Sequence, residues 1–108
     1  MAAATRRTSY PVGETWLFDI GVATIEHRFV GAGSLHYHIA SGARAGTKET
    51  VAAEVHLIRP DVFLVSWQEP DGVTVVHVED YADNTFHSHA TLADGSFMKV
   101  RGTMRRIL

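Results

Sequence analysis

The stretch Val65-Ser66-Trp67-Gln68-Glu69-Pro70-Asp71-Gly72 carries the residues best suited to chemistry. Side chains on a strand alternate between faces, so Phe63, Val65, Trp67 and Glu69 share one side. An apolar face that ends in a carboxylate is unusual, because a buried charge is costly unless it is paired or neutralised. Pro70-Asp71-Gly72 is a hairpin turn: Pro presets φ early in the turn and Gly tolerates positive φ. The following run places Val73, Val75, His77 and Glu79 on one face. Neighbours across a hairpin share a face, so Trp67, Glu69 and His77 are expected to meet as an indole, a carboxylate and an imidazole. A carboxylate desolvated beside an aromatic wall has its pKa raised and serves as a general acid or base near neutral pH. Glu69 is therefore the candidate proton-transfer group and His77 its candidate partner. The plain alternative is a half-solvated Glu69 at a strand end, capping turn amides.

Other polar residues carry less. His36-x-His38 and His87-x-His89 each put two imidazoles on one strand face, a spacing that suits a metal ion. His36 and His38 alternate with Leu35, Tyr37 and Ile39, which turns them toward solvent, and the rest of a metal-ligand pattern is missing; no metal site is expected. Gly31-Ala32-Gly33 is a lone G-x-G with no helix after it and is not a phosphate cradle. Ser66 sits in no nucleophile elbow.

The elements that position these residues are strands. Alternating runs separated by Gly, Pro, Asp and Asn fall at 15–20, 24–30, 34–40, 48–58, 62–68, 73–80, 85–91 and 96–102, with 103–108 extending the last or holding a final turn. No helical stretch stands out. Eight short antiparallel strands remove their edges by closing into an up-and-down barrel, whose interior is filled by side chains or holds one small ligand. A two-sheet sandwich is the structural alternative. With 108 residues the chain makes one domain, read as a flexible lead over 1–9 and a barrel over 10–108.

Composition narrows the function classes. A net charge of -2 with scattered basic residues gives no nucleic-acid footprint. No apolar run approaches a membrane span. Without cysteine there is no disulfide framework, thiolate metal cage or thiol nucleophile. The N-terminal residues lack an apolar signal core, so a cytoplasmic location is the default expectation. A homodimer is compatible with the small domain size.

Two further sets of residues carry a resemblance. Tyr37-x-Ile39-x-Ser41-Gly42-x-x-Ala45-Gly46, followed by Val65-Ser66-Trp67-x-Glu69-Pro70-x-Gly72, resembles the phenolic acid decarboxylases. Trp16, Asp19, Ser66-Trp67-x-Glu69 and His77-Val78-x-Asp80 resemble the MoaF-like proteins of the same calycin, or lipocalin-like, group. The resemblance spans about Gly13 to Gly102. It implies an all-β fold, a single eight-stranded antiparallel lipocalin-like barrel, a small organic ligand in its interior and no cofactor. In the decarboxylases a glutamate after the Trp takes part in proton transfer, and it falls on Glu69. Two substrate-binding tyrosines fall on Trp16 and Phe18, and an arginine falls near Thr47. Trp16 is either a structural plug at the barrel bottom or a ligand-contacting wall. Together the residues point to a small-molecule-binding barrel doing acid–base chemistry of the lyase, isomerase or cyclase kind. Glu69 and His77 are the candidate catalytic residues, and Trp16, Phe18, Tyr37, Trp67 and Val75 the candidate ligand-binding residues. A non-catalytic carrier with the same interior is the alternative.

Overall fold

The computed structural model describes residues 6–31 and 33–108. Eight strands follow in chain order: β1 Thr15–Asp19, β2 Thr24–Gly31, β3 Ser34–Ser41, β4 Lys48–Arg59, β5 Val62–Gln68, β6 Thr74–Asp80, β7 Thr85–Thr91 and β8 Phe97–Arg106. Each pairs antiparallel with its chain neighbours, and β8 returns to pair with β1, so the sheet is a closed barrel in simple sequential order. The sandwich alternative is thereby set aside. Closure depends on the residues after Gly102: Thr103, Met104, Arg105 and Arg106 pair with Asp19, Phe18, Leu17 and Trp16. Closure gives every strand a partner on both sides, so none is left as an open edge.

The alternation seen in the sequence is the alternation of the barrel wall. Phe63, Val65 and Trp67 on β5, Val75, His77 and Glu79 on β6, and Phe86 and Ala90 on β7 are buried inside. Residues between them, such as Gln68, Val76, Val78, His87 and His89, are exposed. Register locks the interior in rows: Trp67 stands opposite Val75, Val65 opposite His77 and Phe63 opposite Glu79. Two apolar clusters fill the inside, one around Leu35, Tyr37, Phe63, Val65 and Trp67, the other around Trp16, Phe18, Phe86 and Met104.

Turn chemistry sets the hairpins. Glu69 N–H donates to Val73 C=O at 2.7 Å across the Pro70-Asp71-Gly72 turn, and Val73 N–H donates to Asp71 Oδ1 at 3.1 Å. Asp61 and Asn84 hold positive φ of 72° and 57°, which side chains of their type tolerate in tight turns. The segment 41–46 is a hydrogen-bonded turn in which Gly46 N–H donates to Ile39 C=O at 2.8 Å. Inside the wall, Gly102 makes room for Phe86: an added Cβ would lie 2.1 Å from Asp19 O and 2.7 Å from the Phe86 ring.

One end of the barrel is covered by the segment before β1. Arg7 and Asp61 exchange two bonds, Arg7 N–H to Asp61 Oδ1 and Asp61 N–H to Arg7 C=O, both at 2.7 Å. The Arg7 guanidinium lies over Trp16 and Tyr81 and pairs with Glu14 at 3.2 Å. Tyr10 stands edge-on to Phe29, Phe63 and Tyr81. So Arg7 is tied to the barrel, and Tyr10 packs half-buried against the core.

Candidate functional site

Two groups of polar side chains lie on the interior face. The first stands where β5 leaves the barrel. The Trp67 indole N–H donates to Glu69 Oε2 at 3.3 Å. Glu69 is half-buried, while Tyr37 on β3 and Trp67 are buried. Burial, and then the nearby Glu69 and Glu49 carboxylates, push the Tyr37 hydroxyl well above its usual pKa. Tyr37 therefore stays a protonated donor beside an acceptor carboxylate.

The second group lies deeper, in the barrel core. Glu79 has no exposed surface. Its Oε1 accepts from Tyr10 OH at 2.5 Å and Tyr81 OH at 2.7 Å, and its Oε2 lies 2.9 Å from His77 Nδ1. Those contacts answer the cost of burying a carboxylate. Burial and the proximity of Glu79 hold both tyrosine hydroxyls protonated. His77 thus meets a carboxylate as its spacing suggested, but the partner is Glu79, two residues along its own strand, and Glu69 pairs with Trp67. The reason is register: Glu79 extends the interior row of β6, whereas Glu69 lies past the last residue of β5.

His27 completes the deeper group, and sequence reasoning passed it over. It lies on β2 between Ile25 and Phe29, fully inside, and its Nδ1 is buried without a hydrogen-bond partner. Burial, and then the neighbouring His77, hold it well below the usual histidine pKa, so it is neutral. Phe18 stacks on its ring at 4.2 Å, and the His77 ring is near parallel to it at 5.6 Å. The signal was present in the sequence: an imidazole on an otherwise apolar strand face is the same anomaly as Glu69.

The remaining candidates divide between the two groups. Trp16 and Phe18 line a small, partly open cavity of about 10 Å³ together with His27, Glu14 and Tyr81. That space suits a single water. Trp67 and Val75 border an open hollow of about 440 Å³ formed with Ala53 and the outward residues Ala52, Glu54, Ser66, Gln68, Thr74 and Val76. The paired histidines point outward: His36, His87 and His89 are exposed, and His38 is half-buried beside Glu26 at 3.5 Å. Among the described residues, no helix is long and apolar enough to cross a membrane.

Comparison with known proteins places this barrel. The model of the family described as MoaF-like matches residues 12–105. The chain belongs to the MoaF-like family. A crystal structure from Burkholderia vietnamiensis described as a "putative beta-lactamase" superposes with a TM-score of 0.86 at 29% identity, covering 95% of this chain and 100% of that one. No curated protein sequence matches the chain. The calycin-type barrel inferred from Trp16, Asp19, Ser66-Trp67-x-Glu69 and His77-Val78-x-Asp80 is thus the fold of this MoaF-like protein, and it is consistent with small-molecule binding.

Proposed function

We propose that this MoaF-like protein takes one small organic molecule at the Glu69 end of its barrel and moves a proton on it. The observation that carries the reading is the convergence of a half-buried carboxylate with an indole N–H and a phenol whose pKa is held high. Glu69 would transfer the proton. Tyr37, kept protonated, would donate to an oxygen on which negative charge develops, the service an oxyanion hole performs. Trp67 fixes the carboxylate and offers an aromatic wall with Val75 beside it, while Trp16 and Phe18 belong to the deeper cluster that backs the pocket. His77, tied to Glu79, would act as a buried support to the pocket. Chemistry of this kind fits an enolising isomerase, a lyase or a cyclase and needs no cofactor for the proton step.

The description of the Burkholderia structure does not carry over easily. The chain has one Ser-x-x-Lys spacing, Ser96 to Lys99. On a helix these residues would share a face, but Lys99 lies on β8, and residues three apart on a strand point opposite ways. The Ser96 hydroxyl is bound to Asp94 in the turn at 2.6 Å. Serine-type lactam hydrolysis therefore has no assembled nucleophile and base here.

The test has two stages. Native mass spectrometry of protein from its own host identifies a co-purified molecule. Glu69→Gln is then assayed for binding and turnover separately. The expected result is unchanged binding within a few-fold and a loss of turnover of 10²–10⁴, the usual contribution of a positioned acid or base. Unchanged turnover would exclude the role given to Glu69. Recovery of the wild-type ligand chemically unaltered would favour the carrier reading, which the same barrel also suits.

A further inference from the structure

The deeper polar group has a composition that proton transfer at Glu69 does not use. His27, His77 and Glu79 are all buried, and one nitrogen or oxygen from each lies within 4.8 Å of the others. His27 Nδ1 has no partner among the described atoms. A buried lone pair or N–H left unmatched costs roughly 1–3 kcal/mol. An apolar residue at this position would avoid that cost, so packing alone does not account for the imidazole.

We propose that His27, His77 and Glu79 form a site for one divalent ion of the Zn²⁺ class in the barrel core. Two imidazole nitrogens and one carboxylate oxygen favour Zn²⁺, Co²⁺ or Ni²⁺ over Mg²⁺ or Ca²⁺, which prefer all-oxygen shells. The spacing is suitable. Two imidazoles on one tetrahedral ion, with N–metal bonds of about 2.0–2.1 Å, keep their ring centres roughly 5.2 Å apart. The observed separation is 5.6 Å, with the ring planes within 9° of each other. Phe18 covers the face of His27 at 4.2 Å, and His77 is 5.6 Å from both rings. One donor atom of each of the three side chains already lies within 4.8 Å of the other two. The His77 Nδ1–Glu79 Oε2 separation of 2.9 Å is close to the edge of about 3.3 Å in such a tetrahedron. Small side-chain rotations bring the third donor in. Tyr10 and Tyr81 hold the other carboxylate oxygen, the outer support that metal ligands commonly have. Three protein donors leave a fourth position for water or a ligand atom, and the neighbouring cavity is of water size.

The experiment uses the full chain, stripped with chelator, then titrated with Co²⁺ and with Zn²⁺. One Co²⁺ per chain giving visible ligand-field absorption, displaced by Zn²⁺ and accompanied by a rise in Tm, supports the site. His27→Leu and His77→Gln should each weaken binding at least tenfold, while a variant with His36, His87 and His89 all changed to Asn should bind as the wild type does. Nitrogen NMR of the wild-type imidazoles during Zn²⁺ titration gives the same answer without any core variant: the His27 and His77 resonances should move. Absence of saturable binding, binding unaffected by His27→Leu, or movement confined to the outward histidines overturns the proposal. None of these readouts depends on turnover, so they are independent of the role given to Glu69.

Discussion

His27 links burial to pH. A free histidine titrates near 6.5, and burial followed by His77 holds His27 well below that in the folded chain. Above about pH 6.5 both states are neutral there and the group adds no slope. Below it the unfolded chain takes up a proton that the folded chain refuses, so stability falls as pH falls, by up to about 1.4 kcal/mol per pH unit until the lower folded pKa is reached. Denaturant titrations of chelator-treated protein across pH 7 to 5 should show this slope in the wild type and a shallower one in His27→Leu; parallel profiles would refute it. Glu79 supplies a second residue-level expectation. Tyr81→Phe removes one of the donors to its Oε1 and should cost about 1–3 kcal/mol, read as a lower denaturation midpoint with an unchanged m-value. Sequence alone singled out Glu69, Trp67 and His77 because a charge or imidazole interrupts an apolar run. It could not pair them: whether His77 meets Glu69 or Glu79 depends on strand register and on where β5 ends, which alternation does not encode.

At the level of elements, β8 shows what was legible and what was not. The Asp94-Gly95 turn marks its start and Met98 and Val100 its alternation, but Gly102 interrupts the apolar series before Met104, so its continuation to Arg106 is not legible. Those last residues are held by backbone pairing to β1, and of them only Met104 is buried. Gly102, which reads as an end to the strand, is instead a packing device: Phe86 occupies the space its missing side chain leaves. Gly102→Ala should therefore destabilise by about 1–3 kcal/mol as an overpacked site, although alanine ordinarily suits a strand better than glycine. Thermal melts decide it, and a variant as stable as the wild type would show that both the β1 backbone at Asp19 and the Phe86 ring give way freely. The turns were readable throughout, because Asp61, Gly72, Asn84 and Gly95 are residue types that adopt positive φ.

The molecule as a whole is a closed wall with one end stoppered by its own N-terminal segment. Tyr10 reaches across 69 positions to Glu79 and fills the space between Phe29, Phe63 and Tyr81. Tyr10→Ala removes a half-buried aromatic and a donor to Glu79, should cost about 2–3 kcal/mol, and should increase binding of a hydrophobic dye at that end. A melt indistinguishable from the wild type would mean that the stopper is dispensable. Wall closure has a consequence in time as well as in space. Of the eight strands β1 is made before the others, yet its second partner, β8, is made after them. Throughout translation the growing sheet carries two raw flanks, a standing invitation to pair with another nascent chain. A stalled or clipped product ending before Thr103 would keep those flanks permanently, so its fate should be aggregation or proteolysis in place of a smaller folded barrel.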